Sequence, residues 1–280
     1  MIGIVVDSNS QLPDALAARF GIAVVPMPVQ IDGVDYLEGV DLDADEFYRF
    51  WSEGHTPRIV TSQPSPGAFS AVYERLAGSG VTEILSVHVS ESMSGTLNSA
   101  RLATASSSVP VRLVDTNTAS FGISCCALAA TEAIRGGADL EEAAVVAENC
   151  AQTVGTAFVV GVPGLVDSSG RAVGVDVEAA AAEGIPVLAM TGGVLEVLDT
   201  VRTLDGAVAS MTEYALGISS GLAHEARIAV GTADDSSRPV AEALTAGLTG
   251  HDAIADVVQY RIGPSIGAHT GPGTAGLFVF

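Results

Sequence analysis

The chain contains no lysine: all 12 of its basic residues, set against 33 acidic ones, are arginines. Without lysine there is no Walker-A loop, no Schiff-base enzyme, no protein-kinase strand lysine and no Ser-x-x-Lys nucleophile. The formal net charge of −21 at pH 7 also repels phosphate backbones and anionic bilayers. We therefore expect neither a nucleic-acid partner nor insertion into a membrane.

Cysteine is scarce, and long hydrophobic runs are missing. The three cysteines, at positions 125, 126 and 150, form no C-x-x-C pair, which favours a reducing, cytoplasmic compartment. The first seven residues lack the basic segment of a signal peptide, and no stretch approaches the ~18 apolar residues of a membrane span. A soluble cytoplasmic protein is expected.

Aromatic residues make up only 5% of the chain, whereas hydrophobic residues as a whole make up 48%. The core must therefore consist mainly of alanine, valine, leucine and isoleucine, with 31 glycines permitting close backbone approach. Such a core suits an α/β protein, and 280 residues suffice for one large or two ordinary domains.

Strand-like and helix-like patterns alternate through the first half. Residues 2–6 and 23–29 predict strands with a helix between them, and residues 83–89 predict a strand that leads into a helix over 97–106. This alternation predicts a parallel sheet with helices on both faces, whose ligands bind beyond the carboxyl ends of the strands.

The second half predicts another α/β unit. Residues 195–203 alternate like an edge strand or hairpin, and helices are predicted over 205–216 and 237–246. We predict an N-terminal parallel-sheet α/β domain over residues 1–153 and a C-terminal α/β domain with a mixed sheet over residues 154–280.

Three motif matches fail on their context. Residues 271–276 satisfy G-x-G-x-x-G but open a terminal strand, so no helix follows to bind a pyrophosphate. Residues 217–221 satisfy G-x-S-x-G but follow a helix, so a glycine turn at a helix C-cap is expected instead of a nucleophile elbow. The five histidines show neither an i, i+4 pair nor a cysteine partner, so we expect no metal site. No cofactor is expected either.

Small hydroxyl residues and glycine make up two short loops, at residues 61–65 (T-S-Q-P-S) and 92–96 (S-M-S-G-T). Ser65 and Pro66 have the residue types of a helix N-cap and first helical position, so the first loop is expected at a helix N-terminus. The second loop lies between the predicted strand 83–89 and the predicted helix 97–106, and both loops are expected at the carboxyl ends of parallel strands. Hydroxyls beside unpaired amides can hold a carboxylate without catalytic machinery. Ordinary helix capping is the competing interpretation.

His269 lies in a third, glycine-rich segment, residues 268–273 (A-H-T-G-P-G). It is predicted either to be a buried, hydrogen-bonded histidine or to donate to the same anion.

Four ordered motifs, V-D-S-x-S, T-S-Q-P-S, S-x-x-x-S-G-T-x-x-S-A and H-T-G-P-G-x-x-G, resemble those of the DegV family. The resemblance implies a bacterial two-domain α/β protein that binds a fatty acid in a cleft between its domains and is not itself an enzyme. Some members of the family are acyl-carrying subunits of fatty acid kinase, in which a separate kinase protein phosphorylates the bound carboxylate.

The resemblance also implies roles for particular residues. Arg171 would lie near the head group or the incoming phosphate, and Arg202 on a surface that meets the kinase; their other interpretation is solvated arginines. The residues implied at the carboxylate are Thr61, Ser62, Ser94, Gly95 and His269, with Thr96 and Asn98 as secondary candidates. The segment 165–171 (L-V-D-S-S-G-R) departs from the family pattern, because Asp167 stands in place of a base, and this weakens the docking inference.

The ligand's tail would supply most of the affinity. About sixteen carbons at ~0.8 kcal/mol per CH₂ give on the order of 10 kcal/mol, whereas each head-group hydrogen bond contributes ~1–3 kcal/mol. The composition permits an apolar tunnel for such a tail. Two alternatives stay open: a serine acyl hydrolase with Ser94 as nucleophile and His269 as base, and a lipid-free interaction domain.

Overall fold

A computed structural model of the chain describes residues 1–51, 55–170, 174–222 and 224–280. These residues form two compact units, the first comprising residues 1–42 and 58–152 and the second residues 43–57 and 153–280. The sequence predicts that residues 43–57 belong to the N-terminal domain, yet they group with the second unit. The reason is a set of contacts distant in sequence, including an ion pair of 2.7 Å between Asp45 and Arg261.

The first unit contains seven strands and five α-helices among its described residues. The strands are β1 (Ile2–Asp7), β2 (Ile22–Val25), β3 (Pro28–Ile31), β4 (Val34–Leu37), β5 (Ile59–Thr61), β6 (Glu83–His88) and β7 (Val111–Asp115). The helices are α1 (Asp14–Phe20), α3 (Pro66–Gly78), α4 (Thr96–Thr104), α5 (Phe121–Arg135) and α6 (Leu140–Thr153), with a short 3-10 turn over Ser8–Ser10.

A parallel sheet of order β2-β1-β6-β7 forms the centre of the first unit, which confirms the predicted parallel sheet. Helices α3 and α4 pack over Val5 and Ile84, and α5 packs on β1 and β6. The predicted strand over 23–29 is wrong, because the chain leaves the sheet after Val25 and Pro28 begins β3. Proline has no N–H to donate to a ladder, so Pro26 favours the end of β2, and Pro28 is tolerated as the first residue of β3.

A second, three-stranded sheet of order β4-β3-β5 is antiparallel and was not predicted. Strand β5 is only three residues long, which is too short for a recognisable period-2 pattern. This sheet carries the first hydroxyl loop, because β5 ends at Thr61.

The second unit begins with the short helix α2 (Ala44–Arg49), and its described residues contain six strands. The strands are β8 (Gly155–Val159), β9 (Ile185–Thr191), β10 (Val194–Val201), β11 (Ala226–Thr232), β12 (Ile254–Arg261) and β13 (Ala275–Val279). The remaining helices are α7 (Pro163–Ser168), α8 (Val177–Glu183), α9 (Leu204–Gly221), α10 (Arg238–Leu248) and α11 (Pro264–Thr270).

The six strands form one sheet of order β10-β9-β8-β13-β11-β12. Only the β11–β12 pair is parallel and the other four pairs are antiparallel, which confirms the predicted mixed sheet. Helices α9 and α10 cover it with a core of mostly alanine, valine, leucine and isoleucine side chains. Among the described helices, none is both long and apolar enough to cross a membrane.

Two local predictions for this unit are wrong. Helix α9 does not end in a glycine turn after Leu216; it continues to Gly221, with Ser219 buried and its hydroxyl donating to the Ala215 carbonyl at 2.7 Å. Ser219 and the half-buried Ile218 pack against the core, and these contacts outweigh the ~1 kcal/mol helix penalty of a glycine. His269 lies in the last turn of α11 and not in a loop, since Pro264 provides a helix start that the surrounding glycines obscured.

Candidate functional site

The first hydroxyl loop joins β5 to α3. Its cap is confirmed: the Ser65 hydroxyl accepts from the Ala68 N–H at 3.2 Å, and Pro66 is the first helical residue. Thr61 is half-buried and Ser62 exposed, and the Ser62 N–H donates to the Pro28 carbonyl at 3.1 Å. The loop follows an antiparallel strand, so the expectation that it lies at the end of a parallel strand is wrong.

The second hydroxyl loop leaves the parallel sheet after His88 and enters α4 at Thr96. The Ser94 hydroxyl lies 2.8 Å from that of Thr96 and accepts from the Thr96 N–H at 3.3 Å. Gly95 is the N-cap of α4 and supplies no side-chain cap. Thr96 has no exposed surface, so its hydroxyl holds that of Ser94, which is itself half-buried.

Gln63 brings the two hydroxyl loops together. A methyl group built on Gly95 would lie 3.2 Å from both the carboxamide carbon and the carboxamide nitrogen of Gln63. Gln63 and Gly95 are therefore neighbours, although more than thirty positions separate them in the chain. Gln63 belongs to the T-S-Q-P-S motif, but no local pattern indicates a role for it, since only the tertiary contact reveals one.

Charged groups beside the second loop are already paired. Arg101 on α4 forms a 2.9 Å ion pair with Glu91 and donates to the Asn98 side-chain oxygen at 3.4 Å. Across the described part of the chain, no three His, Cys, Asp or Glu side chains are grouped to hold a metal ion. The polar groups that the two loops offer are hydroxyls, backbone amides and the Gln63 carboxamide.

In the second unit, His269 lies half-buried on α11, close to the packed turn that follows this helix. The Thr270 carbonyl accepts from the Val162 N–H at 3.1 Å, and the Gly273 N–H donates to Asp234 at 2.9 Å. Helix α11 also packs tightly on α2, since a methyl group at Gly267 would lie 2.6 Å from the Phe47 ring. The helix bearing His269 is thus held from several sides.

The family resemblance implies roles for two arginines, Arg171 and Arg202. Arg171 lies outside the described residues. Arg202 is exposed between β10 and α9, next to the N-cap Thr203. Asp167, which departs from the family pattern, accepts from the N–H groups of Val177 and Glu178 at 3.0 and 2.8 Å and so stabilises the start of α8.

A buried chain of hydrogen-bonded side chains ends next to the start of the second loop, and the sequence did not predict it. The Tyr73 hydroxyl lies 2.9 Å from Ser86 Oγ, which lies 2.6 Å from His88 Nε2, and His88 Nδ1 lies 2.8 Å from Asp7 Oδ2. All four side chains have no exposed surface. This Ser-His-Asp arrangement cannot touch a substrate, because all three side chains are fully buried. The available signal was the polar pair at positions 86 and 88, which share one face of a strand.

Burial raises the pKa of Tyr73 to about 12, because desolvation of the phenolate outweighs the opposing hydrogen bond with Ser86. The folded state therefore keeps this proton between about pH 10, where an unfolded tyrosine ionises, and about pH 12. The stability that depends on the neutral phenol is complete below pH 10 and is lost as the pH rises towards 12.

We predict that the free energy of unfolding of the wild-type chain falls by ~1.4 kcal/mol per pH unit more than that of Tyr73→Phe across this range. Chemical denaturation of both chains at about pH 9 and about pH 11 measures the difference. Equal losses in the two chains would contradict the burial of this hydroxyl.

The whole chain is similar in sequence to known proteins. The family model of the DegV family, described as uncharacterised, matches residues 1–280. A DegV domain-containing protein of Streptomyces coelicolor is 32% identical over 279 residues, covering 99% of this chain and 98% of that protein.

Two solved structures share the fold over their full length. One, described as showing fatty acid binding of a DegV family protein from Thermus thermophilus, is 29% identical with a TM-score of 0.88. The other, described as DegV, a fatty acid binding protein from Bacillus subtilis, is 25% identical with a TM-score of 0.85. Each comparison covers 100% of this chain and 99% of the other.

Proposed function

The chain belongs to the DegV family, and from that premise we propose that it binds a long-chain fatty acid. The resemblance seen in the four sequence motifs is confirmed by the family match. The observation that carries the proposal is the full-length similarity to the fatty-acid-binding protein of Thermus thermophilus. The adjacency of the two hydroxyl loops through Gln63 and Gly95 supports it from this chain's own residues.

The proposed ligands of the carboxylate are the hydroxyls of Thr61, Ser62 and Ser94 and the backbone amide of Gly95. Ser94 is suited to this role because a hydroxyl can accept two hydrogen bonds and donate one. When the N–H and O–H of Thr96 both donate to Ser94 Oγ, the Ser94 proton is left to donate to a ligand. Thr96 is thus proposed to orient Ser94 without touching the carboxylate.

His269 and Arg171 are proposed as further contacts, His269 as a donor to the carboxylate and Arg171 near the head group. The acyl chain is proposed to lie in an apolar tunnel, where its burial supplies most of the affinity. The proposed role is that of a carrier and not an enzyme. The pairing of the Ser94 hydroxyl with that of Thr96 supports this role, because a threonine hydroxyl cannot act as a general base.

Presentation of the bound acid to a separate kinase is the finer part of the proposal. Exposed Arg202 is the proposed docking residue. Asp167 is engaged at the start of α8, so a kinase partner would meet an acid-capped helix where the family pattern has a base. We therefore expect any such partner to depend on Arg202 and not on segment 165–171.

Organic extraction of the purified protein, followed by mass spectrometry, tests the function. We expect about one fatty acid per chain, because a tail buried at ~0.8 kcal/mol per CH₂ should survive purification. Incubation with an activated acyl ester is the matched test for a hydrolase and should leave no adduct on Ser94. A chain that carries no lipid even after growth with added fatty acid would overturn the proposal and favour an interaction domain.

A further inference from the structure

We propose that the buried Asp7–His88 pair is a positioning device for Ser94. It fixes the backbone where β6 ends, and so sets the orientation of the loop that carries the Ser94 hydroxyl. The link to binding rests on the proposed function, whereas the link to loop order does not.

Asp7 joins the ends of two neighbouring strands. Its Oδ2 atom lies 2.8 Å from His88 Nδ1 and accepts from the Val89 N–H at 3.2 Å, while Oδ1 accepts from the Asn9 N–H at 3.1 Å. Asp7 ends β1 and Val89 is the first residue after β6. One buried carboxylate therefore fixes the start of the second hydroxyl loop from the adjacent strand.

A short series of hydrogen bonds leads from this start to Ser94. The Ser90 N–H donates to the Thr118 carbonyl at 2.9 Å, and the Ser90 carbonyl accepts from the N–H groups of Met93 and Ser94, each at 3.0 Å. Ser94 thus belongs to a compact turn whose orientation is set at positions 88–90. A shift there moves the hydroxyl directly.

The imidazole also contacts the helix that follows the first hydroxyl loop. The ring of Phe69 on α3 meets the His88 ring edge to face, with centroids 5.0 Å apart, and Tyr73 on α3 reaches His88 through Ser86. His88 is therefore in contact with elements that carry both loops. An apolar side chain of similar size could contact Phe69 but could not make the hydrogen bonds to Asp7 and Ser86.

The direction of each hydrogen bond follows from the chemistry of the groups. The Asp7 carboxylate only accepts, so His88 Nδ1 carries the proton that it receives. With a neutral imidazole, Nε2 accepts from the Ser86 hydroxyl, which in turn accepts from Tyr73. The hydrogen bond from His88 Nδ1 to Asp7 affects the loop, because the same Asp7 oxygen accepts from the Val89 N–H. The hydrogen bond from Ser86 to Nε2 lies on the opposite side of the imidazole ring.

Two amide substitutions separate these two sides of the ring. His88→Asn places a donor where Nδ1 lies and retains the bond to Asp7, whereas His88→Gln places an amide where Nε2 lies and loses that bond. Ser86→Ala is the matched control, because it removes a hydrogen bond of the same buried chain on the side away from the loop. Asp7→Ala, which removes the acceptor of both His88 Nδ1 and the Val89 N–H, replaces His88→Gln if that variant does not fold.

The first readout is amide hydrogen exchange, which needs no ligand. We expect exchange over residues 89–96 to rise at least tenfold in His88→Gln and to stay near the wild-type rate in His88→Asn and Ser86→Ala, with β11 of the second unit unchanged in all three. Unaltered loop exchange in His88→Gln, or an equal rise in Ser86→Ala, would overturn the inference.

The second readout is the ratio of affinities for a fatty acid and for the fatty alcohol of the same chain length. Loss of one well-aligned bond to a carboxylate should lower this ratio about tenfold in His88→Gln and leave it near the wild-type value in the other two variants. An equal reduction in Ser86→Ala would show that any break in the buried network has the same effect on affinity, and this would overturn the inference. A wild-type chain with no preference for the acid would instead contradict the proposed head-group site, while loop exchange would still decide the positioning role.

Discussion

A chain carrying both Ser94→Ala and Thr61→Val is expected to lose its bound fatty acid, with an affinity at least on the order of 100-fold below that of the wild type. Each hydroxyl that donates to a carboxylate contributes ~1.5–3 kcal/mol, so two of them account for this loss. Valine keeps the shape of threonine, which leaves the lost hydrogen bond as the main change at position 61. Lipid extracted per mole of purified chain gives the first measurement, and titration with a fluorescent fatty acid gives the second.

The stability of the double variant must be measured separately, because the Ser94 hydroxyl also forms a hydrogen bond with the fully buried Thr96 hydroxyl. Removing the Ser94 hydroxyl takes away that partner and should cost ~1–3 kcal/mol of stability. Adding Thr96→Val removes the buried hydroxyl as well, so the triple variant should regain much of the stability without regaining the lipid. A double variant that keeps its full lipid complement would place the carboxylate elsewhere in the molecule.

Gly161→Ala is expected to destabilise the second unit by about 3 kcal/mol, which corresponds to a fall of about 10 °C in Tm. A methyl group at this position would overlap the Pro272 carbonyl oxygen and lie 2.6 Å from the carbonyl carbon and 3.0 Å from the Gly273 Cα. These are backbone atoms of the turn that follows α11, and they cannot rotate away as a side chain can. The conflict is purely steric, since Gly161 is not among the glycines with positive φ.

The same substitution at Gly217 is the matched control and should have the opposite sign. Gly217 is exposed within α9, and a methyl group there meets no atom within 4 Å. Alanine is expected to stabilise the helix by ~0.5–1 kcal/mol, because glycine has the greater conformational freedom in the unfolded chain. Thermal unfolding of both variants checks the pair; similar shifts at positions 161 and 217 would contradict the close packing of the turn after α11.

Local signals predicted the helix starts and the sheet classes well. The N-cap at Ser65 followed by Pro66 depends on hydrogen bonds within one turn, so its residue types predict it almost alone. The parallel and mixed sheets followed from the order of strand-like and helix-like segments. Helix α11 and strand β5 were missed, since short elements rich in glycine or only three residues long leave no periodic pattern.

Contacts between distant residues account for the rest of the candidate site. Asp7 and His88 are 81 positions apart, and neither has a local feature that names the other as its partner. The contact between Gln63 and Gly95 also depends on two loops that follow strands of different sheets. Patterns of period 2 or 3.6 report which face a residue occupies but not which distant residue lies opposite.

The amino-acid sequence by itself determined the family, the α/β class of both halves and the hydroxyl loops at helix N-termini, because these follow from ordered motifs and from hydrogen bonding within a few residues. Only the tertiary structure decided that residues 43–57 group with the second unit, that Gln63 joins the two loops, and that a buried aspartate and histidine lie beneath Ser94. Those arrangements come from packing and hydrogen bonds between segments far apart in the chain, which are formed only when the whole unit folds.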